Sequence, residues 1–239
     1  MTSPADPFAS VAALTGVGVA AAQARDAIDA LLRHPLVRRD PARSASVSVV
    51  HGATASAELA GGMPTGRADP ITQGAVRATA EAIRLAPAWR QTPGRVLARL
   101  HLLAARDLAE PDQLGRPRPG IDRDRFDQLV RLGSGRTEAA GVVVAALVHG
   151  ELMALDAFHP CGDLVARAAE RTVLIARGVD PPGVSVPEAG HLALRRASVD
   201  LLEAYIAGEP AGVAAWVRHC CAAYAHGAET GLAHASGAP

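Results

Sequence analysis

The sequence predicts an all-α fold, on three observations. Apolar residues return at helical spacing almost throughout, whereas strand-like alternation is confined to a few residues around Val47 to Val50. Hydrophobic residues make up 49% of the chain but aromatics only 3%, so order must come from aliphatic packing, mostly Ala, Leu and Val. That suits helices drawn close through small side chains. Helix punctuation falls between the periodic stretches: Thr92-Pro93 and Val186-Pro187 put Pro at a first helical position, where its missing N–H costs nothing, and Gly178 and Gly208 mark stops.

In chain order, helices are expected over about 7–33, 41–61, 72–85, 93–108, 123–132, 137–157, 164–178, 187–208 and 210–231. The longest apolar run, Ala139 to Phe158, carries His149, Glu151 and Asp156, whose ionised forms would each cost several kcal/mol in a bilayer. It is therefore read as a buried core helix, and no membrane association is expected. Three stretches combining Gly or Pro with polar residues, 61–70, 110–120 and 180–185, are read as linkers. The tail from Ala233 to Pro239 is expected to fray.

Composition removes several function classes. The 24 basic and 24 acidic residues cancel, leaving no basic field for a nucleic-acid backbone. Every basic residue is Arg. With no Lys there is no P-loop lysine, Schiff-base lysine or Ser-x-x-Lys hydrolase, and with no Asn there is no glycosylation sequon. Cys161, Cys220 and Cys221 form no Cys-x-x-Cys pair and no disulfide framework, and no basic residue precedes Arg25, so a cytoplasmic protein is expected.

The segment Thr137 to Pro181 reads TEAAGVVVAALVHGELMALDAFHPCGDLVARAAERTVLIARGVDP: an apolar helix, a tight polar loop, and a second helix starting after Asp163. Backbone N–H groups at such a helix start can hold phosphate. Here the chain resembles the Fic/DOC (Fido) family of AMP-transferases, an all-α family whose motif His-x-Phe-x-(Asp/Glu)-Gly-Asn-Gly-Arg-x-x-Arg bridges two such helices. Aligned without gaps on Asp156 to Arg167, the motif's Phe falls on Phe158 and its last Arg on Arg167. Its His falls on Asp156, its metal-binding acid on Pro160, its Gly-Asn-Gly on Cys161-Gly162-Asp163, and its first Arg on Leu164. A gapped match would put the His on His159 and shorten the loop. Leu100-His101-Leu102-Leu103 followed by Gly115-Arg116-Pro117-Arg118 looks like the family's helix and arginine-bearing turn before the flap. Thr54-Ala55-Ser56-Ala57-Glu58 is similar to its inhibitory motif, with Leu59 where Gly or Asn belongs. A second register, from Ser56 to Ala60-Gly61, keeps the Ser and Gly and loses the Glu.

The resemblance implies a Fido-like helical bundle core over 44–181, with an inhibitory-type helix at about 44–61 and the motif loop at 156–167. An N-terminal helical extension (1–43) and C-terminal helices packed on the core (182–239) complete the chain. AMP transfer requires a base for the target hydroxyl, a clamp for the phosphates and donors for the developing charge. The resemblance supplies Asp156 or His159 as base, Phe158, Cys161, Gly162, Asp163 and Arg167 as the phosphate or nucleotide loop, and Thr54 and Glu58 as the inhibitory pair, with Glu58 on Arg167. ATP with Mg would be the cofactor and a protein the partner or target. With the motif His, acid, Asn and first Arg missing, the expectation is a degenerate Fic-like protein lacking efficient AMP transfer, which retains nucleotide or phosphate binding or acts as a helical interaction module. Its alternative is an active nucleotidyltransferase with an altered motif. A more distant reading is a helical metal-dependent hydrolase in which His149 and Asp156, seven residues apart on one face, are completed by Asp163 or His191. No ligand spacing in the sequence assigns a metal site.

Overall fold

In the computed structural model, the described residues are 6–63 and 69–236; the chain's first five residues, five of the first linker and the last three of the tail lie outside them. Twelve α-helices account for the described structure: α1 Pro7–Ala12, α2 Val17–Arg33, α3 Pro35–Arg39, α4 Pro41–Leu59, α5 Pro70–Leu85, α6 Pro93–Ala105, α7 Arg123–Ser134, α8 Gly141–Leu155, α9 Gly162–Ala176, α10 Pro187–Ala193, α11 Arg195–Ile206 and α12 Pro210–Ala235. No strand occurs among the described residues, so the all-α expectation holds, and Val47 to Val50 lie inside α4.

Four helix starts share one mechanism. The carboxylates of Asp6, Asp40, Asp69 and Asp122 accept backbone N–H bonds from the first turns of α1, α4, α5 and α7, and in the first three Pro follows the Asp at the first helical position. Thr92 and Val186 precede Pro93 and Pro187 without any side-chain cap. Two expected helices are broken. Residues 7–33 divide before Gly16, whose φ of +78° is cheap only for glycine, and 187–208 divide at Leu194. The Thr137 to Ala140 stretch is drawn out of α8 because Asp6 accepts bonds from Thr137 Oγ1 (2.7 Å) and the Glu138 amide (3.0 Å).

Helix α8 is at the centre, its Val142 to Gly150 run entirely buried. It packs on α9 and is covered by α7, α11, α12, α1 and α2. Helix α9 is buried at every position from Leu164 to Leu174 and rests on α5 and α6, while α12 runs along α2 and α10. Small residues set the spacing: a Cβ on Gly74 would come 2.1 Å from the Ala104 carbonyl oxygen on α6, and one on Gly190 1.9 Å from that of Ala223 on α12. No helix among the described residues is long and apolar enough to cross a membrane.

Candidate functional site

The loop between α8 and α9 is pinned at both ends by non-glycine residues in the left-handed region, Asp156 (φ 43°) and Cys161 (φ 71°). Phe158 is the buried anchor, its ring 5.1 Å from His101 and 6.1 Å from Phe126 between centroids. The turn carrying Arg118 is stitched on from outside: the Arg118 amide donates to the Ala157 carbonyl (2.8 Å), and its Nε reaches the Asp156 carbonyl (2.6 Å) and carboxylate (3.1 Å).

His101 joins the same two segments from beneath. The Gly115 N–H donates to His101 Nδ1 (3.1 Å), which leaves Nε2 as the protonated nitrogen, 3.1 Å from the Pro160 carbonyl that accepts from it. The ring must be neutral to make both bonds. Burial pushes its pKa below the ordinary value, against the pull of the Pro160 carbonyl. The Leu100 to Leu103 helix and the arginine-bearing turn are therefore one unit with the loop, held through His101.

The Arg167 guanidinium is already engaged. Its Nε donates to Ser56 Oγ (2.8 Å), and Nη2 to the Ser56 carbonyl (3.0 Å) and to Asp163 Oδ2 (2.8 Å). The other Asp163 oxygen accepts the Leu164 amide at 2.8 Å. An internal carboxylate thus bridges the first turn of α9 and the arginine, where an anion held by both would lie. The expected pair of Glu58 with Arg167 is not formed. Thr54 and Glu58 face solvent, Thr54 Oγ1 bonding the Val50 carbonyl, while Ser56 occupies the buried face of α4. The second register, from Ser56, is thus the one whose Ser meets Arg167. Ser48, Gly52 and Ser56 recur at intervals of four along that face and meet Arg171 and Arg167 on α9.

The other expected site residues divide. Asp156 and His159 are exposed and line, with Asp112, Arg116 and Arg118, an open cleft of about 730 Å³. Asp156 is tied to Arg118. Gly162 starts α9. Cys161 is half-buried with its Sγ 3.8 Å from the Ala104 carbonyl, and burial, with Asp163 nearby, pushes its thiol up to about 11. It is not an activated thiol.

Behind the loop lies a second polar group that the sequence only half discloses. Glu170, with no exposed surface, accepts from His149 Nδ1 (2.9 Å) on α8, His191 Nε2 (2.9 Å) on α10 and Tyr224 Oη (2.6 Å) on α12. Burial opposes ionisation of Glu170, yet the two imidazoles and their hydrogen bonds overcome it and hold the carboxyl well below the usual range. Burial likewise pushes the pKa of His149 down, against the pull of the Glu170 carboxylate. Cys220 is the fourth member: the donor atoms of His149, Glu170, His191 and Cys220 all lie within 4.8 Å of one another. Of the hydrolase grouping considered from sequence, His149 and His191 do meet, but Asp156 caps α8 at the surface and Asp163 belongs to Arg167. A small cavity of about 120 Å³, walled by Leu59, Met153 and Trp216, borders His149, His191 and Arg167.

No protein-family model matches the chain, and no curated protein matches its sequence. Solved structures do. It is similar to a Fic family protein from Desulfovibrio desulfuricans G20, with a TM-score of 0.64 over 90% of this chain and 74% of that one at 16% identity. It is also similar to Fic-1 from C. elegans, with a TM-score of 0.63 over 91% of this chain and 72% of that one at 14% identity. The class is thus an all-helical bundle with a two-helix loop at its centre. Within that class the chain has the Fido fold, and at such identities the likeness concerns the fold alone.

Proposed function

We propose that this chain is a degenerate Fic-like protein that lacks efficient AMP transfer to protein hydroxyls and acts as a helical interaction module on a Fido scaffold. The observation that carries this reading is Asp163, whose carboxylate takes both the Leu164 amide and Arg167. A phosphate brought there meets a fixed negative charge and an arginine whose remaining bonds go to Ser56. Losing a general base alone costs about 10²–10⁴-fold in rate, and the base positions here are a solvated Asp156 and an exposed His159. The partner is a protein that docks over the cleft between the Arg116 to Arg118 turn and the loop. In this reading the protein works in the cytoplasm, in keeping with its free thiols.

The cleft also favours a second reading, nucleotide or phosphate binding outside the filled position, with Arg116, Arg118 and His159 as the contacts and Mg as the companion of ATP. Titration calorimetry of ATP and of AMP, with and without Mg²⁺, separates the readings. No heat at millimolar ligand is expected for the native chain, and gained binding for Asp163→Ala, which frees the amide and one arginine donor. Micromolar binding lost in Arg118→Ala would favour the second reading. Transfer of labelled AMP to any protein, abolished by Arg167→Ala, would sink the first.

A further inference from the structure

We infer that His149, Glu170, His191 and Cys220 form a binding site for one zinc-like divalent cation, buried between α8, α9, α10 and α12. The donor atoms converge within 4.8 Å, although they come from four helices and no two are neighbours in sequence. Tetrahedral zinc holds nitrogen at about 2.0–2.1 Å, carboxylate oxygen at about 2.0–2.2 Å and sulfur at about 2.3 Å. Ligands around such a tetrahedral ion are about 3.3–3.6 Å apart, so the widest pair of the cluster, up to 4.8 Å, must close by about 1 Å as the ion binds. The 2.9 Å contacts of Glu170 with His149 and His191 must open slightly, each imidazole turning its lone pair inward and keeping its proton on the far nitrogen.

Charge selects the ion. An ionised Glu170 and a Cys220 thiolate carry two negative charges beside two neutral imidazoles, and a divalent cation cancels them where a bare thiolate could not persist. The thiol proton leaves to solvent. Two nitrogens and a sulfur are too soft for magnesium or calcium, which take oxygen, and suit zinc or cobalt. Tyr224, bonded to Glu170 at 2.6 Å, would orient the carboxylate from outside. His219, next to Cys220 in the chain and 6.1 Å from His191 between ring centroids, has a buried Nε2 with no hydrogen-bond partner among the described residues. The cavity bordering His149 and His191 provides a route for the ion. The site shares no residue with the motif loop, and the inference is independent of the AMP-transfer reading.

The test uses the full chain. Metal content after purification without a chelator is expected to be one zinc per chain, removed by a strong chelator with a fall in melting temperature that added zinc restores. Cobalt added to the stripped protein is expected to give a thiolate-to-cobalt charge-transfer band. Cys220→Ser should lose that band, and His191→Gln should weaken cobalt binding at least about tenfold. A folded native chain that takes up no cobalt and gains no thermal stability from zinc would overturn the inference and leave a hydrogen-bonded cluster. Uptake of cobalt without the charge-transfer band, unchanged in both variants, would equally overturn it, since the ion would then lie elsewhere. The measurements on the native chain decide even if a variant fails to fold.

Discussion

Replacing Glu188 by Gln tests whether the buried charges of α9 are matched pair by pair. Glu188 and Arg171 expose 1% and 2% of their side chains, and two bonds of 2.8 and 2.6 Å join them. The remaining guanidinium donor goes to Ser48 Oγ and the Gly183 carbonyl. Glu188→Gln keeps the volume and removes the charge, leaving a cation with no direct counterion. Breaking such a buried pair from one side costs about 3–5 kcal/mol. Asp180 and Glu170 also favour the charged arginine, so the lower end, about 3 kcal/mol, is expected. For a chain of this size that corresponds to a fall of about 6–12 °C in melting temperature. Urea and thermal unfolding followed by circular dichroism give the number. The double variant Arg171→Met/Glu188→Leu should lose less than Glu188→Gln alone, since an apolar pair leaves no buried charge, although the Gly183 carbonyl gives up its Arg171 donor. A single-variant loss under about 1 kcal/mol, or a double variant at the sum of the two singles, would refute the reasoning.

Two further predictions concern the loop and the packing. His101 is held neutral with its folded pKa below the ordinary 6.5, so its contribution is complete above the unfolded value and is lost as pH falls beneath it. An NMR titration of its ring should show a midpoint below 6.5, with the Gly115 amide losing exchange protection in step; a midpoint at or above 6.5 would contradict the bond assignment. Gly74→Ala drives a methyl against the Ala104 carbonyl and should destabilise by about 1–3 kcal/mol, whereas Gly94→Ala, on α6 with open space around it, should be neutral or stabilising by up to about 1 kcal/mol. Equal effects in the two chemical denaturation curves would mean that α5 and α6 are not in hard contact.

Most of the helices were legible because periodicity is a local signal: α4, α6, α8, α9 and α12 stand close to where the spacing puts them. The breaks at Gly16 and Leu194 were not, since tertiary packing decides whether a helix bends away there. The short α3 fell in a gap between expected helices. In the site, the loop could be read because it is contiguous and Phe158 anchors it. The partner of Arg167 could not be settled, because the two registers, from Thr54 and from Ser56, differ by two residues, about 200° around a helix, and only the packed structure says which face of α4 is inside. Glu170 and Cys220 escaped for a different reason. They lie far apart in the sequence, and their meeting with His149 and His191 is a property of how four helices converge.

The setting of α9 has a consequence for how the chain comes to order during synthesis. Arg171 is matched by Glu188 on α10, and Glu170 by His191 on α10 and Tyr224 on α12. A nascent chain that has emerged only as far as Asp180 has the motif loop and both flanking helices in hand, but Glu170 then has only His149 of its three partners, and Arg171 has Ser48 without its counterion Glu188. Until α10 and α12 follow, the charges at that centre are only partly matched. The C-terminal quarter of the chain thus supplies the partners that complete the charge matching of α9.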